Sequence, residues 1–202
     1  MPVIADSSYS FLNLKSDLFF SEKLQNTGKG TNYGLDITLE KYISKGYYYL
    51  FTASASNSKY KGGDGLWRST RFNRNYVFNL LIGKEWQVGN SKQNVFSVNT
   101  RICYQGGNHY SPVNDVASNL EKDIVYDETK AFQLQAPSSF KLHFTASYKV
   151  NKAKSSRELS LKILNLTGDP DFDGYKYNLK NNSVEKDLSS VILPNLSYKI
   201  EF

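Results

Sequence analysis

Strict alternation of apolar and polar residues runs through long segments of this chain, and it limits the folds open to the chain more than any other feature. The last segment alternates between two sets of side chains, Leu196, Tyr198, Ile200 and Phe202 against Asn195, Ser197, Lys199 and Glu201. A period of two places the two sets on opposite faces of a β-strand. The alternation therefore predicts a closing strand within 188–202, with one apolar and one polar face.

The same period recurs in earlier segments of the chain. It predicts strands over 30–43, 47–60, 75–87, 94–105, 140–150 and around 159–163. Most of these segments are longer than the ~5–6 residues usual for globular strands. We expect an all-β, antiparallel up-and-down meander of seven long strands, or eight if a partial strand lies within 16–20. Residues 1–25 are then a lead-in, and residues 26–202 form the sheet.

The predicted connections alternate between short and long. The short ones lie at 44–46, 88–92 and 151–156, and the long ones at 61–73, 106–137 and 168–187. Bacterial outer-membrane barrels have short periplasmic turns, long external loops and strands of ~9–11 residues. The rhythm therefore favours a transmembrane β-barrel, with every short turn on the periplasmic side.

The two faces of the predicted strands differ in chemistry. The polar face carries charged or ionisable side chains at Arg101, Lys141, His143 and Lys149. A dry core does not accept these side chains, whereas a wet barrel lumen does. The opposite, predicted lipid-facing side chains are Phe96, Val98, Ile102, Phe140, Leu142, Phe144 and Tyr148. A soluble β-sandwich or barrel with one exposed face is the alternative, because antiparallel sheets commonly expose one face.

Composition narrows the function classes. The chain has 202 residues, 15 Tyr, 12 Phe and a net charge of +6 without a basic run, which argues against nucleic-acid binding. Cys103 is the single cysteine, so the chain forms no internal disulfide and no cysteine-based metal site, and we expect it to be a small buried residue. The first ten residues show no signal peptide, and no apolar run has the ~18 residues of a membrane helix.

Motifs of catalysis are not recognisable. His109 and His143 are the two histidines, and neither lies in a metalloprotease or nucleophile context. We expect no enzyme, no catalytic residue and no cofactor. One metal candidate is Asp169, Asp171 and Asp173, which match the first half of a calcium loop, but Lys180 stands where the bidentate glutamate belongs. An acidic loop tip is the preferred interpretation of this half motif.

Aromatic side chains also occur in the predicted long loops. Trp67, Phe72 and Tyr110 are candidates for a vestibule that contacts a ligand, and Tyr126 and Phe132 share this pattern. Such residues equally suit an interfacial belt or loop packing.

Four stretches carry a resemblance to a known family. They are GTNYGLDITLEKYISKGYYYLFTASASNSKYKGGDG, RSTRFNRNYVFNLLIGKEW, GNHYSPVN and the ending NLSYKIEF. Together they resemble the C-terminal barrel portion of TonB-dependent outer-membrane receptors, in the style of the Bacteroidetes type. The resemblance covers about 26–202.

The resemblance implies a barrel of about 22 strands closed by a plug, which imports ligands with energy passed from TonB. It implies outer-membrane lipid and the barrel-assembly machinery as partners, and Phe202, Ile200, Tyr198 and Leu196 as the assembly signal. TonB would act only through a part preceding this segment, and the imported ligand is open. We expect a fragment with an open, incomplete barrel wall that is inactive alone. The alternatives are a complete eight-stranded barrel with a structural or adhesive role, and a soluble β-rich binding domain.

Overall fold

The computed structural model describes residues 1–8, 10 and 23–202. The strands are β1 (Val3–Ile4), β2 (Leu24–Gln25), β3 (Lys29–Ser44), β4 (Tyr47–Lys61), β5 (Trp67–Ser69), β6 (Tyr76–Val88), β7 (Asn94–Gln105), β8 (His109–Tyr110), β9 (Leu134–Gln135), β10 (Ser139–Asn151), β11 (Ser156–Leu164), β12 (Asp171–Asn178), β13 (Ser183–Ser189) and β14 (Leu193–Glu201). One α-helix, α1 (Asp115–Glu121), and one 3-10 helix, Glu128–Lys130, lie between β8 and β9.

The long strands form one antiparallel sheet in the order β14-β11-β10-β7-β6-β4-β3, and the short β5 pairs with β4. Each long strand therefore pairs with the next long strand along the chain, which confirms the predicted all-β meander. The limits of β7 match the prediction, and those of β3, β4, β6 and β10 differ by one residue. The predicted partial strand at 16–20 lies outside the described residues.

The sheet has two different ends. Its turn end carries the short connections 45–46, 89–93 and 152–155, and its loop end carries 62–75, 106–138 and 165–192. In the two-residue turn, Lys45 and Gly46 both have positive φ, 52° and 79°. That combination gives the backbone twist that a two-residue β-hairpin requires. The predicted alternation of short and long connections is confirmed.

Pairing register places the apolar set on one face. Phe140 lies opposite Tyr104, Leu142 opposite Ile102 and Tyr148 opposite Phe96. The other strands continue this apolar face through Leu35, Ile37 and Leu39 on β3, Phe51 on β4, Phe78, Leu80, Ile82 and Trp86 on β6, Leu159, Leu161 and Ile163 on β11, and Leu196 and Tyr198 on β14. None of the apolar-face residues predicted on β7 and β10 is buried.

The buried core lies at the loop end and is small. It consists of Tyr60, Ala131 and Phe132, with Met1 packed against it. The rings of Tyr60 and Phe132 meet edge to face at 6.2 Å between centroids. By contrast, β3 and β14 are exposed along their whole length. The wall of the sheet thus gains little from burial of its own faces.

Two predicted loops contain regular structure. The segment predicted as a polar loop at 168–187 forms the hairpin β12–β13, with a register shift between Phe172 and Gly174. The long aperiodic segment contains α1, which begins at the cap Asn114, and the short pair β8–β9. The segments predicted as loops therefore contain short strands and a helix, and the closing strand is Leu193–Glu201, within the predicted 188–202.

The lead-in is joined to the loop end. β1 pairs with β2, and Ala5 bridges Gly63. The hydroxyl of Tyr60 donates to the Ser8 carbonyl at 2.6 Å. The large sheet begins after these residues with β3, at Lys29.

Each of the two outermost strands of the sheet, β3 and β14, is paired along one of its two edges. β3 pairs with β4 and β14 pairs with β11, and no second partner for either strand occurs within residues 1–8, 10 and 23–202. A closed eight-stranded barrel would require β14 to pair with the lead-in. Within the described residues this pairing does not occur.

Candidate functional site

Aromatic side chains form two bands across the apolar face. Phe78, Tyr104 and Phe140 are cross-strand neighbours near the loop end, and Trp86, Phe96 and Tyr148 are neighbours near the turn end. Phe78 and Tyr104 stack with centroids 6.5 Å apart, and Trp86 and Phe96 with centroids 5.6 Å apart. We call these rows the loop-end band and the turn-end band.

The bands are separated by the same distance on three strands. On each strand the two band residues are eight positions apart: Phe78 and Trp86, Phe96 and Tyr104, and Phe140 and Tyr148. At about 3.4 Å per residue, eight positions span about 27 Å along a strand. Between the bands the apolar face of these strands carries mainly aliphatic side chains, among them Leu80, Ile82, Val98, Ile102 and Leu142.

Lys84 is a cation on the apolar face, one position inside the turn-end band. Its ammonium hydrogen-bonds to the Tyr47 hydroxyl and lies 4.2 Å from the Tyr47 ring centroid and 5.0 Å from that of Trp86. The long aliphatic stem lets the charge reach these polar and aromatic partners while the stem stays on the apolar face.

The polar face carries the predicted charged set. His143 lies opposite Arg101, and Lys141 opposite Cys103. Lys149 forms a 3.5 Å ion pair with Glu201 near the turn end. The structure thus places Arg101, Lys141, His143 and Lys149 opposite the apolar face. Cys103 is half-buried, whereas the sequence predicted a buried residue.

The loop end holds a cleft of about 290 Å³ between β5 and the segment 129–133. Its lining includes Trp67, Arg68, His109, Thr129 and Phe132. Arg68 forms a two-pronged ion pair with Asp64, at 2.6 and 2.9 Å, and also donates to the Thr129 carbonyl at 3.2 Å. The hydrogen bond from Arg68 lowers the pKa of Asp64 and, reciprocally, raises that of Arg68.

His109 and Tyr110 connect separate loops. His109 Nδ1 lies 2.9 Å from the Asn73 carbonyl, which makes Nδ1 the protonated nitrogen, and partial burial lowers the pKa of His109. Tyr110 packs against Phe172 and Tyr175 at centroid distances of 5.0 and 5.8 Å. Burial, followed by the hydrogen bond with Tyr175, raises the pKa of Tyr110 to about 12.

The predicted vestibule residues do not share one site. Trp67 lines the cleft, Phe72 is exposed beneath the guanidinium of Arg71, and Tyr110 belongs to the aromatic cluster with Phe172 and Tyr175. The three residues thus lie at separate places at the loop end, and a vestibule that contacts a ligand stays a prediction. Sequence reasoning missed Arg68 and Thr129 in the cleft, and Asp64 as the partner of Arg68. The Asp–Arg spacing of four in a glycine-rich loop was a usable signal.

The candidate calcium ligands have separate partners. Asp169 accepts from the Phe140 amide at 2.8 Å, Asp171 pairs with Lys141, and Asp173 accepts from the Ser189 hydroxyl at 2.6 Å. Asp171 and Asp173 lie on β12 rather than in a calcium-binding loop. Among the described residues no three His, Cys, Asp or Glu side chains are grouped for a metal ion.

The predicted assembly residues lie on and after the last strand. Leu196, Tyr198 and Ile200 lie on one face of β14 and are exposed, whereas β14 ends at Glu201. Phe202 follows the strand and is fully exposed.

No protein-family model, curated protein or solved structure matches this chain. In the described part of the chain, no helix has the length and apolar character needed to cross a membrane.

Proposed function

We propose that this chain is part of the wall of an outer-membrane β-barrel, the C-terminal barrel segment of a TonB-dependent receptor. In the complete barrel it takes part in ligand uptake across the outer membrane, and alone it transports nothing. The apolar face contacts lipid, and the polar face contacts the aqueous lumen. It acts through binding and transport rather than through catalysis.

The pair of aromatic bands carries this proposal. Membrane barrels have an outward apolar belt about 25 Å tall, flanked by aromatic girdles. At a strand tilt of about 35–45°, the 27 Å between the bands corresponds to about 19–22 Å along a barrel axis. That height is close to the apolar belt, and the outer membrane is thinner than average. The position of Lys84 supports the placement of the turn-end band at a membrane interface, because lysines near an interface extend towards water.

The exposure of the apolar face argues against a soluble sandwich. A sandwich buries its apolar faces between two sheets about 10 Å apart. Here Leu35, Ile82, Leu159 and Leu196 are 65%, 51%, 50% and 71% exposed. Soluble monomers rarely expose continuous apolar patches beyond a few hundred Å². Lipid is the solvent that such a face requires.

The two tryptophans of the chain provide the test. The full chain is refolded into phosphatidylcholine vesicles, and tryptophan fluorescence is measured. In the Trp67→Phe variant the fluorescence comes from Trp86 alone, and in the Trp86→Phe variant it comes from Trp67 alone. We expect brominated lipids to quench Trp86 in the turn-end band, and aqueous iodide to quench Trp67 at the loop end. The two variants control for each other, since each carries one indole in the same fold.

Opposite quenching would contradict the proposal. A chain that stays monomeric without detergent, with Trp86 open to iodide, supports the soluble binding domain. A heat-modifiable monomer in which β14 pairs with the lead-in supports the small complete barrel. Ligand uptake is tested separately in the full-length receptor context, where deletion of 26–202 is expected to abolish it.

A further inference from the structure

Four basic or imidazole side chains converge on the polar face. Arg101 lies opposite His143, Lys141 lies two residues from His143 on β10, and Lys162 lies opposite Thr145, diagonal to His143. We call Arg101, Lys141, His143 and Lys162 the basic patch.

The basic patch has less negative charge than it needs for balance. Asp171 pairs with Lys141, but no ion pair or side-chain hydrogen bond joins Arg101 or Lys162 to another described residue. The next acid along the row of Arg101 is Glu40, three strands away, and Leu50 and Leu81 lie between them. Like charges on neighbouring strands repel each other, so the patch by itself lowers the stability of the sheet.

The charges near the turn end are arranged differently. Glu158 lies opposite both Lys149 and Lys199, and Glu201 pairs with Lys149 at 3.5 Å and with Lys199 at 2.5 Å. Acids and bases alternate there on β10, β11 and β14, on the same face as the basic patch. The imbalance of the basic patch is thus local and does not follow from the net charge of the chain.

We propose that the basic patch binds the anionic group of a small solute, a phosphate or carboxylate, in the lumen. The lumenal location rests on the proposed function, whereas the anion site itself does not. Arg101 offers the planar fork that fits two oxygens of such a group, and Lys162 adds a point charge. Asn165 N donates to His143 Nδ1 at 3.3 Å, which places the proton of the neutral ring on Nε2 as a further donor.

Inorganic pyrophosphate is the probe, titrated calorimetrically into the full chain refolded in a neutral detergent. We expect saturable binding that Arg101→Gln or Lys162→Gln weakens by about tenfold or more, because each removes a charge-assisted hydrogen bond. Arg101→Lys should weaken binding less, since it keeps the charge and loses only the fork. Lys199→Gln is the matched control on the same face and should leave the affinity unchanged.

The outcomes separate this inference from the proposed function. Absence of binding by the folded chain, or equal losses in Arg101→Gln and Lys199→Gln, overturns the anion site. Citrate in place of pyrophosphate distinguishes a carboxylate site from a phosphate site, and binding of either supports the inference. Specific binding in a chain whose Trp86 is open to iodide supports the anion site and overturns the membrane proposal.

Discussion

The ring of Tyr48 occupies the space above Gly83, its cross-strand partner. A β-carbon built on Gly83 would lie 2.1 Å from Tyr48 Cζ and 2.3 Å from its hydroxyl oxygen. The aromatic ring thus takes the place of the missing side chain on the polar face. Covering a strand glycine with an aromatic ring compensates for the side-chain packing that glycine lacks.

Substitution of Gly83 should therefore displace the ring of Tyr48. We expect Gly83→Ala to lower the free energy of unfolding by about 1–3 kcal/mol, as overpacking does. In a denaturant titration of the refolded chain, Tyr48→Ser should relieve most of that loss, so the two changes should not add. Gly30→Ala is the control, because its β-carbon would meet nothing closer than 3.8 Å. Additive losses would exclude contact between the two side chains as the cause.

Phe144 lies midway between the aromatic bands, four residues from Phe140 and four from Tyr148. If the apolar face contacts lipid, Phe144→Arg should cost about 2–4 kcal/mol, the cost of an arginine at the bilayer midplane. Ser160→Arg, on the polar face of the adjacent strand, should cost far less in the same vesicles. Equal costs for the two variants would contradict the assignment of faces.

The apolar side of β14 should be needed for membrane assembly. Tyr198→Ser and deletion of Phe202, made in the full-length context, should each lower the amount of protein in outer-membrane fractions on immunoblots. Ser197→Ala, on the other face of β14, is the control and should assemble normally. Normal amounts after deletion of Phe202 would count against its role as an assembly signal.

Acidification should loosen the loop end around His109. Burial lowers the pKa of His109 in the folded state, so the unfolded chain binds the proton more tightly. Stability from the neutral ring is present above the ordinary pKa of about 6.5 and is lost as pH falls through the folded pKa. Hydrogen exchange of the amides at 106–112 should accelerate towards pH 5, after correction for intrinsic rates. His109→Gln should remove this extra acceleration. If exchange in that variant still accelerates to the same extent, a group other than His109 causes the effect.

The ion pair of Arg68 and Asp64 should hold the cleft together. The Arg68 side chain is 6% exposed and bonds to the Asp64 carboxylate and the Thr129 carbonyl, so Arg68→Gln removes a buried guanidinium and the charge-assisted hydrogen bonds that it donates. We expect a loss of about 1–3 kcal/mol and faster trypsin cleavage after Lys130. Lys130→Gln cannot serve as the control because it removes the trypsin cleavage site. Lys176→Gln is the control: it breaks an exposed ion pair with Asp187 and should change stability and the cleavage rate little. Equal cleavage rates in Arg68→Gln and Lys176→Gln would contradict the prediction.

The strands and their faces followed from the sequence because a period of two is local. Each residue of β7 or β10 reveals its face through its own neighbours two positions away, so Phe144 and His143 could be separated without knowing any partner. The hairpin β12–β13 was not predicted from the sequence, and the reason is equally local. Its register shift between Phe172 and Gly174 interrupts the alternation by one residue. The helix α1 spans only seven residues, too few for a helical period to be visible.

By itself the sequence determined that long, two-faced antiparallel strands alternate between short turns and long connections. The tertiary structure alone decided which distant side chains meet. The Arg68 guanidinium reaches a carbonyl 61 residues away, and Tyr110 packs on Phe172. The basic patch and the aromatic bands depend on register, because a slip of one residue would turn each strand's side chains to the other face. Alternation is encoded in neighbours along the chain, whereas register and loop contacts arise from pairing across it.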